Sequence, residues 1–318
     1  MATAMAQVGT APVKAGYRRS VDLARIVAAF GIVWDHARAP FADEGYLALA
    51  LFLVLTSFLA VGSFERSDGK RFWWSRVQRI ALPWLFWCVA FRIVLEVITR
   101  GSQPLLSEPG SLLIGPFIHL WFLPFVLLAL PVIPLISRAV SDERGLIIAA
   151  FLLIALSIPL GMLHAEVLHP GILPFGPDTW PLLFAQPLPQ WFFALPLFLF
   201  GALLAVSRRT GGAWVPMAAA SVVSAVLFMV SPEFASVQMI LVAVVFEIVW
   251  RIEIKGRWPT WAAGFAFGIY VMHPIFMLVA FKLFGPDVNR SAAALFTFGA
   301  AWIATAMMQR FPLVARFA

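Results

Sequence analysis

Arg25 and His36 stand eleven positions apart in the stretch LARIVAAFGIVWDH, and everything between them up to Trp34 is apolar or small. At about 100° per residue, eleven steps fall within roughly 20° of three full helical turns, so the two share one face. Their axial separation is about 16 Å at 1.5 Å per residue. Asp22 lies one turn before Arg25 and is placed to pair with it. Ala29 lies between and is expected to leave room for something to lie along the helix. Asp35 points about a quarter-turn away from His36 and is expected off that face. A guanidinium fork binds phosphate well, and an imidazole moves protons near neutral pH. Each residue also has a plain reading: Arg25 as an arginine snorkelling to headgroups, and His36 as a histidine near an interface.

Further polar groups punctuate apolar runs. Charge within hydrocarbon is expensive and marks functional candidates. Arg92 and Glu96, spaced i, i+4, are expected as a structural ion pair. Glu247 is expected to bond a neighbouring helix. His273 precedes Pro274, which should kink its helix and free backbone carbonyls. His119 opens HLWFLPF, where an interfacial His–Trp pair in an aromatic belt also accounts for it. The lone Cys88 and the five histidines show no metal-ligand spacing, so no metal site is expected.

The elements that must hold these residues follow from composition. The 318 residues are 62% hydrophobic and only 12% charged, about half the charge of a soluble domain. Apolar runs near 20 residues recur, the length of a bilayer-spanning helix, and do not alternate as a β-barrel's would. The expectation is an all-α polytopic transmembrane bundle of about ten spans: 21–39, 45–63, 78–99, 115–137, 145–163, 188–206, 213–231, 236–252, 261–284 and 291–309. With the N-terminus inside, 17 of the 23 Lys and Arg residues fall in inner segments. Only Arg38, Arg100, Lys282 and Arg290 fall outside. This asymmetry predicts both termini cytoplasmic. It also reads the net charge of +7 as topology and contact with anionic lipid, not nucleic-acid binding. Residues 1–318 read as a single integral membrane domain, with 1–20 a cytoplasmic tail. The outer loop 164–187, with His164, Glu166, His169 and Asp178, is either a cap over an outward-facing site or a connector.

Five stretches in order resemble one family. RSVDLARIVAAFGIVWDH carries an arginine–ten residues–histidine pattern at Arg25 and His36. ALFLVLTSFLAVGSF is similar to a second span in which Thr56 and Ser57 replace a usual Ser-Gly, a change expected to affect local helix packing. FWWSRVQRIALPWLFW supplies Arg76 and Arg79 ahead of Leu82-Pro83, and GPFIHLWFLPFVLLAL and FGIYVMHPIF complete the set. Together these resemble the membrane-bound acyltransferase 3 family, from about Ser20 to His273. Some members add a soluble esterase-like domain after the last span, and none is expected here.

The resemblance implies a membrane O-acyltransferase of the bacterial cytoplasmic (inner) membrane. It implies acetyl-CoA or another acyl-CoA as donor, no permanently bound cofactor, and a saccharide or glycolipid acceptor at or beyond the outer leaflet. On that reading Arg25, with Arg76 and Arg79, holds the CoA phosphates. His36 acts as general base for the acceptor hydroxyl. His119, Trp121, Tyr270 and His273 are candidates to contact substrate or the oxyanion. Two other classes stay open. One is a proton-coupled transporter using Glu96, Glu247 and His273 as a relay, although no inverted repeat supports it. The other is a non-catalytic component of a polysaccharide assembly complex.

Overall fold

In hydrocarbon, backbone N–H and C=O groups must be satisfied within the chain, and a single segment can do this only as helix. The computed structural model describes residues 18–99, 117–165, 167 and 187–318, and contains no strand among them. The helices are α1 (Arg19–His36), α2 (Ala42–Glu65), α3 (Gly69–Arg76), then a π-helical turn Val77–Ala81 leading into α4 (Leu82–Thr99). A 3-10 turn Ile118–Trp121 opens α5 (Phe122–Ala129), followed by α6 (Val132–Ala139), α7 (Glu143–His164) and α8 (Leu188–Thr210). The chain continues as α9 (Trp214–Val230), α10 (Phe234–Arg251), α11 (Trp258–Ala263), α12 (Ala266–Phe284) and α13 (Arg290–Met308), and a last 3-10 turn spans Ala315–Phe317. Side chains of Asp68, Asp142 and Asn289 cap α3, α7 and α13 by accepting a backbone N–H each.

Among the described residues, seven helical segments are long and apolar enough to cross a bilayer, and an eighth forms if the pair His119–Ala129 and Val132–Ala139, bent by 45°, is one span. The remaining two of the ten expected spans fall on α1 and α9, which fail that test on charge and on length respectively. The expected first span holds Arg19, Asp22, Arg25 and Asp35 within α1, and α9 has only 17 residues. The outer loop expected at 164–187 lies almost wholly outside the described residues.

α1 sits between two apolar clusters. Val21, Ala24, Ala28 and Ile32 face the larger one, built mainly from α2, α5 and α7–α10. Ile26, Ala29 and Val33 face the smaller one, with Ala262, Ala266, Ile269, Ala294 and Ala301 from α11–α13. Both faces of α1 are thus fixed by packing, as are those of α12, whose Tyr270–Met272 join the larger cluster while Ile269 and Met277 join the smaller. On the outside, Leu85, Val89, Ile93 and Val97 of α4 and Ile148, Phe151 and Leu152 of α7 are exposed, as lipid-facing side chains should be.

The substitution of Ser-Gly by Thr56-Ser57 on α2 is absorbed on the opposite helix. A Cβ at Gly201 of α8 would lie 2.2 Å from Ser57 Oγ and 2.3 Å from the Val54 carbonyl oxygen. The small residue needed for close approach is therefore Gly201. The same principle holds α12 against α13, where a Cβ at Gly268 would meet Thr305 Cγ2 at 2.4 Å. At the basic end of this pair, Arg209 of α8 forms an ion pair with Glu65 of α2 and donates to the Val140 carbonyl.

Gly201→Ala should lower the melting temperature of the detergent-purified protein, at a cost of about 1–3 kcal/mol from overpacking. Gly201→Leu should give no monodisperse protein by size-exclusion chromatography.

Candidate active site

Arg25 leaves the inner stretch of α1 about one-third exposed, with its Nη1 3.8 Å from Asp22 Oδ1, the expected one-turn pair. It borders a cavity of about 990 Å³. The π turn widens the helix between α3 and α4, and Arg76, Gln78, Arg79 and Ile80 all line the same space. Such turns recur at functional sites because they re-aim side chains that an α-helix would spread around its axis. Arg25, Arg76 and Arg79 are thus brought together. Two further cations join them that the sequence reading did not single out, Arg66 at the end of α2 and Arg316 in the last 3-10 turn. That turn is held by Phe317, stacked on Phe86 at 4.3 Å, and by Trp87 Nε1, which donates to the Phe317 carbonyl at 2.7 Å.

The long wall of the cavity is not α1. Phe52, Leu55, Thr56, Leu59, Ala60 and Ser63 line it from α2. Their i, i+3, i+4, i+7, i+8, i+11 spacing is one helical stripe, about 16 Å long. Ala29, expected to leave a channel along α1, is instead fully buried against α11–α13. A methyl side chain let neighbouring helices close on it. The signal for the true wall was present in α2, where Thr56 and Ser63, seven positions apart, put two hydroxyls on one stripe of a mostly apolar helix.

The far end of α1 holds a second assembly. His36 remains 37% exposed, and its ring meets that of His273 edge to face with centres 4.9 Å apart. His273 in turn meets His119 at 5.3 Å, and Tyr270 lies 5.9 Å from His119. Each imidazole has one nitrogen on a backbone carbonyl: His36 Nδ1 on Ile32 at 2.8 Å, His273 Nδ1 on Tyr270 at 2.6 Å, and His119 Nε2 on Val271 at 3.2 Å. A carbonyl only accepts, so those nitrogens carry the protons. The other nitrogen of each neutral ring is left with its lone pair. For His36 that atom is Nε2, the arrangement a general base requires.

Pro274 explains the His273 tautomer. It has no N–H to give the carbonyl four residues back, which is that of Tyr270, and the His273 ring takes its place. The expected freed carbonyl is therefore found and occupied. His119 is not interfacial: it is buried, and its own carbonyl accepts from the Tyr270 hydroxyl. Both N–H and O–H donors proposed for an oxyanion, from His119 and Tyr270, are already given to carbonyls. Trp121 is buried apart, its ring on Phe122 and Phe125.

The two assemblies meet at three mutually touching rings. Phe52 and Phe122, at the inner end of the cavity, lie 5.3 Å apart and rest on Tyr270 at 5.7 and 5.4 Å. Asp35 corrects the helical-wheel expectation, since its Oδ2 lies 3.9 Å from His36 Nδ1: adjacent residues at a helix end can still swing together. Arg92 and Glu96 do not reach ion-pair distance of each other. Glu247 reaches across to Arg208 of α8, with Arg251 at 3.5 Å on its other oxygen, so its charge is compensated at the basic end. This is not a relay geometry with His273. Among the described residues, no group of three or more His, Cys, Asp or Glu is placed to hold a metal ion.

A bundle of apolar helices with buried polar groups facing an internal cavity defines a multi-pass integral membrane protein. A family model described as an acyltransferase domain, the acyltransferase 3 family, matches residues 18–309, and the chain belongs to that family. No curated protein and no solved structure matches the chain.

Tyr270→Phe removes the hydroxyl that satisfies the buried His119 carbonyl. It should destabilise the protein by about 1–3 kcal/mol, seen as a lower melting temperature in detergent.

Proposed function

We propose that this acyltransferase moves an acetyl group from acetyl-CoA to a hydroxyl of an extracytoplasmic or lipid-linked saccharide, working in the bacterial cytoplasmic membrane. The observation that carries the reading is a cavity lined by five arginines beside the first turns of α1, with the His36 ring, its Nδ1 on the Ile32 carbonyl, at the other end of the same helix. The basic asymmetry of the sequence assigns the arginine end to the cytoplasm, where CoA esters occur. A cavity of about 990 Å³ is of the size that takes a large ligand.

In this scheme Arg25, Arg76 and Arg79, with Arg66 and Arg316, hold the phosphates through charge-assisted hydrogen bonds. The pantetheine arm lies along the α2 stripe. The thioester passes the Phe52–Phe122 rings to reach His36. The acceptor hydroxyl attacks the thioester carbon as its proton passes to His36 Nε2. The tetrahedral intermediate then collapses, the C–S bond breaks, and the CoA thiolate takes the proton back from His36. His36 is the one imidazole of the three that is open to an arriving acceptor.

Transfer of labelled acetyl by the purified protein in nanodiscs tests this. Arg25→Ala and Arg76→Ala should each weaken acetyl-CoA binding roughly 10-fold or more, from the loss of a hydrogen bond to a charged group. Thr56→Leu, on the α2 stripe, should weaken donor binding without lowering the melting temperature. His36→Ala should leave CoA binding in place and reduce transfer by a factor of about 100 or more. Normal transfer by His36→Ala and Arg25→Ala would refute the scheme. Mass spectrometry of surface saccharide, with and without the gene, identifies the acceptor.

A further inference from the structure

His273 is fully buried, and its Nε2 has no hydrogen-bond partner. An orphaned polar atom in a hydrocarbon-surrounded bundle is costly, so it calls for a reason. Its ring is held rigidly. Nδ1–H is fixed on the Tyr270 carbonyl that Pro274 leaves open, and the ring is packed between those of His36 and His119.

With both rings neutral, His36 Nε2 and His273 Nε2 are acceptors only, and two lone pairs cannot bond each other. That changes when His36 gains a proton. The ring centres lie 4.9 Å apart, edge to face, so the two rings are near enough for an N–H···N bond to form once His36 Nε2 carries a proton and turns to His273. The other titratable groups around His36 are Asp35 on its own helix, with His119 and Tyr270 behind His273. Asp35 approaches Nδ1, which is already committed to Ile32. His119 and Tyr270 offer their protons to carbonyls. His273 Nε2 is the buried acceptor left over.

Resting on the assignment of His36 as base, we propose that His273 Nε2 accepts a hydrogen bond from His36 Nε2–H while His36 carries the acceptor's proton. The bond orients and stabilises the imidazolium that exists only between attack and departure of the thiolate. It is released when that proton passes to the sulfur, so His273 itself neither gains nor loses a proton over the cycle. His273 is then a positioning residue acting through His36.

Three substitutions separate this role from packing. Asn places its amide near the Nδ1 position, able to satisfy the Tyr270 carbonyl, but has no atom at Nε2. Gln reaches the Nε2 position with a carbonyl oxygen. Leu supplies neither. In nanodiscs, His273→Asn and His273→Leu should lose roughly 10-fold or more in kcat. KM for acetyl-CoA should hold, because no cavity residue is touched. His273→Gln should recover most of kcat. Full kcat in His273→Asn, or equal losses in Asn and Gln with donor KM raised in step, would overturn the proposal. If Leu does not fold, the Asn–Gln comparison decides alone. His36→Ala is run in parallel. If it transfers normally, the base assignment fails. If it is inactive while His273→Asn is fully active, only the role of His273 fails.

Discussion

A proline cannot donate to the carbonyl one turn behind it, and at Pro274 this leaves the Tyr270 carbonyl open in the middle of a buried helix. In a bundle surrounded by hydrocarbon an open carbonyl must find a donor. His273 supplies one from its ring, which fixes its tautomer and turns Nε2 towards its neighbours as a lone pair. His119 and Tyr270 each give a proton to a carbonyl across the contact between the Ile118–Trp121 turn and α12. The result is a set of three imidazoles, each with one nitrogen held on a backbone carbonyl. Of the three, only His36, at the end of α1, is exposed.

The opposite end follows different physics. Guanidinium groups stay charged and need water or anions, so Arg25, Arg66, Arg76, Arg79 and Arg316 gather around an open cavity. Charges with no ligand to meet are compensated within the protein, as with Arg208, Glu247 and Arg251 or Arg209 and Glu65. Phe52, Phe122 and Tyr270 form the contact between the charged cavity and the neutral rings. These rings form a hydrophobic partition between the cavity and the histidine cluster. α1 bridges both ends because its two faces are packed against different clusters, which leaves it unable to rotate.

Much of the site was legible residue by residue. The eleven-position spacing put Arg25 and His36 on one helix, at its two ends. The family resemblance added Arg76 and Arg79, which line the same cavity as Arg25, and Pro274 announced the freed carbonyl. The reading of α1 failed where it reached past one helix. A helical wheel places Ala29 between Arg25 and His36 but cannot say what covers it, and α11–α13 do. The wheel also separated Asp35 from His36, although side chains at a helix end converge. His119 read as interfacial because its neighbours are aromatic, a pattern shared by a membrane belt and a buried core.

The sequence by itself determined the all-helical membrane character, since apolar runs of this length have no other way to satisfy their backbone. It also determined the family and the two ends of α1. Tertiary structure alone decided which helix walls the cavity, which cations share it, and which ring nitrogens lie on backbone carbonyls. The reason is physical: local periodicity sets which residues share a face of one helix, whereas cavities, tautomers and unpartnered atoms are properties of what the facing helices bring.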